Sequence, residues 1–574
     1  MYKSVLRVAQ HKFHCLRLAK ESLRRCSTPL RAFATRMNAN QLPTTSEVEH
    51  PFYNYTSGRW LYNEKLRLTE RHLVFDVQAL IQSIARAVNQ SLPAISSFRK
   101  VAEGGSYRVF EATIDGTDPV IARVPYPCSL PRSFGLASEV ATLQYLYSKG
   151  LPVPRILDWN CTSNNDVGCE YMLMSKAPGM ELDATWRTMT AKERLHMVEK
   201  IVGVEKKLFQ LEFPAYGSIY REDFLHTHGQ VGSIPIDGDF CIGPSAEYLW
   251  WYKGRDEVRV NRGPWTRPED VMCSVGEREL EWLARFGSPR FPRQGQYREF
   301  YNNKMVHPKE HASSLRSYLK MAPLVVPDDE SLSRPTIRHP DLSPNNVFVS
   351  DDGAITCMID WQHTAIHPLF IQAKVPKHFQ NYGDEESENL RPPVLPEDFE
   401  SLTPEAKSEQ EELYRRRQLH YFYVGHTSRN NEQHFRAMSK HDLIIRNKLF
   451  EAAGRPWEGD NTSLKAELIH ACRQWPKIAR SRARHAPCPV HFSKEEEAAC
   501  LEIEKKQLEA DSQVQLLRDC FPINVEGWTP TELFEEAKFK ADDVRAQMIA
   551  MGESDQEKRE IEELWPFQDH EEVD

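Results

Sequence analysis

The residues with the most specific chemical pattern lie between His339 and Asp360. Asp341 follows His339 by two positions, Asn346 comes five positions later, and Asp360 follows an apolar run. A loop Asp can take the proton of a hydroxyl group, while an Asn and a later Asp can share a Mg²⁺ ion. The order and spacing therefore favour phosphoryl transfer, which depends on alignment and on neutralised phosphate charge.

Two short apolar strands are predicted to position these side chains. Val347 to Val349 and Ile355 to Ile359 flank Asp351-Asp352-Gly353, a sequence typical of a hairpin turn. A hairpin there places the residues before the first strand beside Asp360, which follows the second. The alternative is a capped surface loop with a solvated Asp, which the two strands and the downstream Asp disfavour.

A glycine-containing turn lies upstream, in a stretch with strand periodicity. Glu103-Gly104-Gly105-Ser106-Tyr107 separates two predicted strands, and a third, Val120 to Val124, follows. Glycines permit close backbone approach, and their amides can face phosphate oxygens. The alternative for this turn, taken alone, is an ordinary hairpin. With a helix predicted from Ser138 and strands near Ile156 and Tyr171, the region is expected to form a small antiparallel sheet carrying one helix.

The string from Ile337 to Val349, followed by Ile359-Asp360-Trp361, resembles the aminoglycoside phosphotransferase and choline kinase superfamily. The corresponding loop of that family is commonly His-Gly-Asp-Leu, followed by an Asn. The likeness covers residues 90 to 375. Pro340 replaces the usual glycine, which stiffens the loop without removing a catalytic group.

This resemblance implies ATP and Mg²⁺ as cofactors and a role for each site residue. Asp341 would be the catalytic base and His339 would support its loop, while Asn346 and Asp360 would bind the metal. The implied nucleotide-binding residues are Gly104, Gly105, Ser106, Arg123, Glu139, Met174 and Ser175.

Arg123 stands where protein kinases have a phosphate-binding lysine, and it can grip phosphate oxygens with two donors. Glu139 is its expected ion-pair partner, with an ordinary Glu at a helix N-terminus as the alternative. Met174 and Ser175 lie in a segment that resembles the hinge offering backbone groups to adenine. A simple buried strand would explain that segment as well.

A second resemblance covers most of the chain. Phe52 to Glu64, Phe240 to Pro244 and Gly263-Pro264-Trp265 resemble segments of the fungal mitochondrial proteins named for altered inheritance of mitochondria. That likeness implies a mitochondrial location, and it leaves the reaction unassigned.

The N-terminal segment is basic in an otherwise acidic chain. Residues 1 to 36 carry nine Lys or Arg and one acid, whereas the whole chain has a net charge of −9. An Arg-rich, acid-poor amphipathic segment predicts a mitochondrial transit peptide and a location in the matrix. The alternative is a solvated basic arm that binds nucleic acid or an anionic membrane. The acidic remainder disfavours nucleic acid as a partner.

Cysteine spacing and hydropathy exclude further classes of site. The twelve cysteines contain no Cys-x-x-Cys pair, so reduced thiols are expected rather than a zinc site or a disulfide framework. No apolar run is long enough for a membrane-spanning helix, so no integral membrane segment is expected.

The fold expected from these features is α+β, with the two lobes of a protein kinase and a helical C-terminal extension. The predicted divisions are a transit peptide (1–36), a linker (37–51), a nucleotide-binding lobe with its lead-in segment (52–175), a catalytic lobe (176–400) with an irregular insertion (217–320), and a helical part with an acidic tail (401–574).

Two functions remain open at this point. The first is an ATP- and Mg²⁺-dependent kinase for the hydroxyl group of an unknown small acceptor in mitochondria. The second is a catalytically silent, nucleotide-binding scaffold with a mitochondrial protein partner. Trp250, Trp251 and Trp265 in the insertion are either structural or part of an acceptor pocket.

Overall fold

A computed structural model describes residues 50–230, 232–481 and 483–570. The predicted transit peptide and all but the last two residues of the predicted linker lie outside the described residues. None of the helices in the described part of the chain combines the length and the apolar character needed to cross a membrane.

A five-stranded antiparallel sheet with helices on its two faces forms the first lobe. The elements up to residue 175 are β1 (Gly58–Trp60), α1 (Glu64–Arg71), α2 (Val77–Ala87), β2 (Ile95–Glu103), β3 (Tyr107–Ile114), β4 (Val120–Pro125), α3 (Phe134–Ser148), β5 (Ile156–Asn160) and β6 (Tyr171–Ser175). The strand order is β2-β3-β4-β6-β5. The predicted small antiparallel sheet is confirmed.

The alternation of β4 decides which of its residues can reach the site. Val120, Ala122 and Val124 are buried in the apolar layer shared with α2. Successive side chains of a strand point to opposite faces, so Ile121 and Arg123 lie on the other face, toward α3 and the second lobe. The apolar pattern of this strand therefore also fixes the direction of its basic residue.

The second lobe holds the loops with the predicted catalytic residues. Its elements are β7 (Met180–Glu181), α4 (Asp183–Trp186), α5 (Ala191–Phe209), β8 (Ser218–Arg221), α6 (Glu222–Thr227), β9 (Ile234–Pro235), β10 (Phe240–Gly243), α7 (Pro268–Phe286), α8 (Lys309–Met321), β11 (Pro335–Ile337), β12 (Val347–Val349), β13 (Ile355–Met358), β14 (Ile366–Pro368), α9 (Leu369–Gln372) and α10 (Glu385–Glu388).

Two antiparallel strand pairs fix the ends of those loops. β12 and β13 form the predicted hairpin with Val347 opposite Met358, and β11 pairs with β14 so that Ile337 is opposite Ile366. The loop from β11 to β12 and the loop from β13 to β14 therefore leave the same two ladders side by side.

The insertion is more regular than its Gly, Pro and Trp content suggests. It contains a three-stranded sheet in the order β8-β10-β9 and the helices α7 and α8. Both helices bury apolar side chains, including Met272 and Leu315, in one core with helices from the C-terminal part of the chain.

The C-terminal part wraps around both lobes. Its elements are α11 (Pro404–Asn430), α12 (Glu432–Met438), α13 (His441–Gly454), α14 (Thr462–Arg473), α15 (Trp475–Ile478), α16 (Lys494–Arg518), β15 (Trp528–Pro530), α17 (Phe534–Ala550) and α18 (Asp555–Glu563). α11 packs against α5, and β15 pairs antiparallel with β1, where Arg59 is opposite Thr529. Asn63 contacts the start of the predicted acidic tail: its backbone N–H donates to Asp569 Oδ1 over 2.5 Å, and its side-chain Oδ1 accepts from the backbone N–H of His570 over 3.0 Å.

Candidate active site

His339 holds the loop that carries Asp341. Its Nε2 lies 2.8 Å from the carbonyl oxygen of Ile359, and its Nδ1 lies 3.1 Å from the backbone N–H of Asp341. A carbonyl can only accept and an amide can only donate, so His339 carries its proton on Nε2. Burial lowers the pKa of His339 and favours this neutral form. His339 therefore joins the loop of Asp341 to Ile359, the residue before Asp360.

Asp341 and Asn346 are linked at the next turn of the same loop. The side-chain N–H of Asn346 donates to the backbone oxygen of Asp341 over 2.8 Å and lies 3.4 Å from its Oδ2. Asn346 is buried, whereas Asp341 is exposed. The Asp341 carboxylate is therefore accessible, while the Asn346 side chain fixes the backbone of Asp341.

Asp360 lies two residues after the end of β13, the second strand of the hairpin. Its φ of 65° lies in the left-handed region, which Asp tolerates better than most residues and which turns the chain sharply after β13. The backbone N–H of Ile359 donates to the Asn346 carbonyl over 3.0 Å. The two predicted metal ligands are thus held on adjacent, hydrogen-bonded loops.

Arg123 connects the two lobes at this point. Its Nη1 donates to Glu139 Oε1 over 2.6 Å and its Nη2 to Asp360 Oδ1 over 3.0 Å, although Asp360 is 237 positions further along the chain. Its guanidinium also lies over the ring of Tyr107, 4.0 Å from the centroid. The Tyr107 hydroxyl donates to the second Glu139 oxygen over 2.9 Å.

Glu139 is the buried partner in this group. α3 begins at Phe134, not at Ser138, so Glu139 lies in the second turn of the helix and not at its N-terminus. Its side chain has no exposed surface, and burial raises its pKa even though Arg123 acts in the opposite direction. The alternative of an ordinary helix-terminal Glu does not fit a side chain enclosed by Arg123 and Tyr107.

The donor set near Asp360 fits a magnesium ion. Asp360 has a second carboxylate oxygen and a half-exposed side chain, and Asn346 has an amide oxygen opposite its bonded N–H. The described residues contain no cluster of three or more His, Cys, Asp or Glu side chains arranged for a metal. Mg²⁺ commonly takes one or two protein oxygens and completes its shell with phosphate and water, so two ligands suffice.

The glycine turn joins β2 to β3 in the first lobe. Gly104 and Gly105 are exposed, and the Gly104 amide donates to the Tyr107 carbonyl over 2.9 Å. A Cβ added at Gly105 would meet no atom within 4 Å, so no neighbour in the protein requires glycine there. Ser106 turns its carbonyl inward, where it accepts hydrogen bonds from the Tyr126 amide and the Ser129 hydroxyl.

The predicted hinge residues are largely occupied by the sheet. Met174 is buried opposite Ile121 of β4 and Ile156 of β5. Both the amide and the hydroxyl oxygen of Ser175 bond to the backbone of Arg155, over 2.9 and 3.0 Å. Contact of these two residues with adenine stays a prediction.

Sequence reasoning missed a buried group that anchors the loop carrying Asp341. Arg338, next to His339, donates to Glu205 of α5 over 2.5 Å and to the carbonyls of Gln372 and Lys374. Tyr423 of α11 donates to the other Glu205 oxygen over 2.5 Å. Arg338 and Glu205 are 133 positions apart, so spacing could not reveal the pair; the available signal was a charged residue directly after the short strand β11.

The insertion tryptophans pack as core residues. Trp250 and Trp265 are buried with ring centroids 5.4 Å apart, and Arg278 lies over Trp250. Trp251 is half-buried, stacks on Phe134 and donates its N–H to the Ser245 carbonyl. The structural alternative accounts for these contacts.

Comparisons with known families and proteins find similarity over much of this chain. The family model described as "Phosphotransferase enzyme family" matches residues 97–371. A subtelomeric hrmA-associated cluster protein of Aspergillus fumigatus is 31% identical over 505 residues, covering 82% of this chain and 96% of that protein. Altered inheritance of mitochondria protein 9 of Eremothecium gossypii is 21% identical over 555 residues, covering 84% of this chain and 88% of its own.

Solved structures show more distant likeness. A streptomycin–ATP ternary complex of the phosphotransferase APH(2'')-IIa aligns with a TM-score of 0.33 and 11% identity, over 69% of this chain and 96% of that one. An ethanolamine kinase of Plasmodium vivax aligns with a TM-score of 0.31 and 11% identity, over 68% of this chain and 86% of that one.

Proposed function

The chain belongs to the phosphotransferase enzyme family, and we propose that it transfers the γ-phosphoryl group of ATP to a hydroxyl group of a small acceptor. The observation that carries the proposal is the contact of Arg123 with both Glu139 and Asp360. This contact joins a strand of the first lobe to the loop beside Asp341. Phosphoryl transfer needs such cations and oxygen ligands on both sides of a nucleotide.

Each side chain has a task in this reaction. Asp341 orients the acceptor hydroxyl and takes its proton, while Asn346 holds the backbone of Asp341 in place. Arg123 donates to phosphate oxygens, and the Glu139 carboxylate keeps the Arg123 guanidinium directed toward Asp360. Asn346 and Asp360 would hold Mg²⁺, which supplies neutralisation of the phosphate charge.

The departures from the protein-kinase pattern are compatible with catalysis. Arg123 keeps the expected ion pair with Glu139, and Pro340 is exposed on a loop whose His339 and Asp341 contacts are formed. A scaffold that binds nucleotide without turnover is the competing function. A mitochondrial site of action, with the matrix as the compartment, is part of the proposal and is supported by the name of a relative.

Two substitutions in the full chain test the proposal. Calorimetric titration with Mg²⁺ and ATP should show binding that Asp360→Asn weakens at least tenfold, because one metal ligand and the Arg123 contact are lost. Asp341→Asn should retain this binding and lose ATP turnover with every accepted hydroxyl compound. Turnover that survives in Asp341→Asn would refute the assigned base, and binding without turnover in the unmodified chain would favour the scaffold.

A further inference from the structure

A large cleft opens beside the glycine turn. Its volume is about 1240 Å³, and Gly105 and Ser106 form part of its wall. The other walls come from α1, from the insertion between Tyr248 and Arg298, and from the chain between Arg518 and His570. Tyr248 on this wall lies 6.0 Å, ring to ring, from His363, which follows Asp360 closely in sequence. None of Arg123, Asp341 and Asp360 lines the cleft, so its link to them runs through the glycine turn and through the contact of Tyr248 with His363.

Several cations on the cleft wall are already neutralised. Arg255 makes a two-pronged contact with Glu279, Arg71 contacts Glu70, and Arg293 contacts Glu458. These arginines belong to the architecture of the wall.

Arg290 and Arg298 differ from their neighbours. Among the described residues, neither guanidinium has a hydrogen-bond acceptor or an ion-pair partner, and the Nε atom of each is buried. Burial lowers the pKa of Arg290. The Glu458 carboxylate acts in the opposite direction without forming an ion pair with Arg290, so it offsets only part of the desolvation cost. An anion in the cleft would offset more of it.

Aromatic rings hold these two groups in place. Arg290 lies 5.2 Å from the centroid of Trp457 and 5.8 Å from that of Trp282, and Arg298 lies 5.1 Å from that of Phe291. Packing on a ring face fixes a guanidinium while leaving the donors at its edge available. Those edge donors match the oxygens of a phosphate group.

We propose that this cleft binds the acceptor of the reaction, and that the acceptor carries a phosphate group which Arg290 and Arg298 recognise. This inference rests on the proposed kinase function for its acceptor part. The binding part rests on the cleft alone, because neither arginine takes part in the Arg123, Asp341 and Asp360 group.

A binding experiment tests the cleft without requiring turnover. Inorganic pyrophosphate is titrated into the full chain with Mg²⁺ and ADP at saturating concentration, and tryptophan fluorescence is followed because Trp282 and Trp457 line the wall. The expected result is saturable binding that the double substitution Arg290→Ala/Arg298→Ala weakens at least tenfold. Arg290→Lys/Arg298→Lys should retain part of the affinity, and Arg285→Ala, on the exposed side of α7, should bind as the unmodified chain does.

The results that overturn the proposal are distinct from those that overturn the kinase. Pyrophosphate affinity equal in the unmodified chain and the alanine pair, or no binding at all, refutes the cleft. The acceptor part predicts that phosphorylated alcohols are turned over in preference to the parent alcohols, and that the alanine pair raises their KM without changing the KM for ATP. Arginine-dependent pyrophosphate binding with no such effect refutes the acceptor part, and absence of all ATP turnover refutes the kinase.

A separate observation concerns two cysteines far from the cleft. Cys472 is the next-to-last residue of α14 and Cys488 lies in the segment before α16, yet their Sγ atoms are 3.5 Å apart. Both are partly accessible. The hydrogen bond between the thiols lowers the pKa of Cys488 and raises that of Cys472, so Cys488 is the thiol that more readily becomes a thiolate.

We infer that Cys472 and Cys488 form an intramolecular disulfide when the protein meets a peroxide. The Cys488 thiolate attacks one peroxide oxygen, the O–O bond breaks, and the Cys488 sulfur becomes a sulfenic acid while the other oxygen leaves as water after protonation. The Cys472 sulfur then attacks the Cys488 sulfur, the S–O bond breaks, and the second oxygen leaves as water with the Cys472 proton. Two thiols are oxidised and one peroxide is reduced to two waters.

Mass spectrometry of the full chain tests this step. Hydrogen peroxide at low concentration should give a peptide pair joined through Cys472 and Cys488 that dithiothreitol separates. Cys500→Ser should leave this cross-link intact, and Cys472→Ser should leave Cys488 as a sulfenic acid that dimedone labels. A Cys488 that goes directly to the sulfinic acid, or that pairs with another cysteine, overturns the inference.

Discussion

Charge at the centre of the site is balanced by three residues from different elements. Arg123 lies between Glu139 and Asp360, and only the Asp360 contact is exposed to solvent. Removing one member of a buried ion pair leaves the other charge without compensation, which costs about 3 to 5 kcal/mol. The Asp360 contact reduces that cost for Arg123 because it remains when Glu139 is neutralised.

Glu139→Gln should therefore impair both stability and nucleotide binding. We expect a loss of about 3 kcal/mol in the free energy of unfolding and at least tenfold weaker binding of Mg²⁺ and ATP, since the Arg123 guanidinium loses its fixed direction. Urea unfolding and calorimetry measure the two effects. Glu281→Gln, an exposed position on α7, is the control and should change neither. Unchanged ATP affinity in Glu139→Gln would contradict the role given to the pair.

A second residue determines how the fold responds to acid. His311 of α8 is buried, neither ring nitrogen has a partner among the described residues, and burial lowers its pKa to about 4. The unfolded chain binds a proton near pH 6.5 that the folded chain does not bind until about pH 4. Stability contributed by neutral His311 is thus present above pH 6.5 and is lost progressively as the pH falls toward 4.

His311→Leu should make the protein less sensitive to pH in that range. The loss of unfolding free energy between pH 6.5 and 4 should shrink by about 3 kcal/mol relative to the unmodified chain. Urea unfolding at several pH values measures the slope. His307→Leu, at an exposed position just before α8, is the comparison and should leave the slope unchanged. An identical slope in His311→Leu would show that His311 gains a proton without cost.

Among single residues, sequence spacing identified those within one or two loops. Asp341, Asn346 and Asp360 were predicted because the local order of loop, hairpin and loop already places them together. The partners of Arg338 were not predictable, because Glu205 and Tyr423 meet it only after α5 and α11 pack. Spacing carries no information about such contacts.

At the scale of elements, α11 acts on the catalytic loop through one hydroxyl group. Tyr423 is buried, and its hydroxyl donates to Glu205, which also accepts from Arg338. Tyr423→Phe keeps the ring and leaves Glu205 with one donor fewer. The expected loss in unfolding free energy is about 1 to 3 kcal/mol.

The same substitution should also affect turnover, because Arg338 precedes His339 in the loop. We expect a lower kcat with an unchanged KM for ATP, measured in the acceptor assay that the unmodified chain supports. Tyr421→Phe, on the same helix but outside this group, is the matched control. Equal loss of kcat in both variants would show that the effect comes from the helix and not from the hydroxyl group.

Element boundaries also show where local sequence signals stop. The hairpin turn Asp351 to Gly353 was predictable because its turn residues and apolar flanks agree. The pairing of β1 with β15 was not, since three-residue strands from opposite ends of the chain carry no joint signal. The early start of α3 at Phe134 follows Ser133, a residue type common at N-caps, although its side chain makes no capping hydrogen bond.

The β1–β15 pair depends on one glycine. A Cβ at Gly58 would lie 2.6 Å from the Thr529 carbonyl oxygen and collide with the Trp528 ring. Gly58→Val should therefore separate β15 from β1 and speed amide hydrogen exchange at residues 528 to 530. Gly425→Ala, in α11 with no atom within 4 Å of the added Cβ, is the control and should leave that exchange unchanged. Equal exchange rates in both variants would mean that β15 stays paired with β1 despite the added side chain.

At the scale of the whole molecule, the C-terminal part has two different relations to the lobes. Leu419, Tyr423 and Val424 of α11 are buried in the same core as α5 and the catalytic loop. The last segment, from Phe521 to Phe567, has a small core of its own that reaches the rest through Leu61 and Tyr62. α11 is therefore part of the core of the second lobe. The segment from Phe521 to Phe567 is a separately packed unit, called the docked unit below, that contacts the rest of the chain at its edge.

Two truncations separate these relations. A chain ending at residue 403 loses α11 and exposes the apolar face of α5, so it should fail to give a cooperative thermal transition.

A chain ending at residue 519 loses β15, α17 and α18 but keeps the three larger cores, so it should remain folded and keep binding of Mg²⁺ and ATP. Because residues 525 to 570 form part of the cleft wall, this chain should bind pyrophosphate more weakly. Circular dichroism and calorimetry measure these outcomes, and loss of ATP binding in the longer truncation product would show that the docked unit also supports the first lobe.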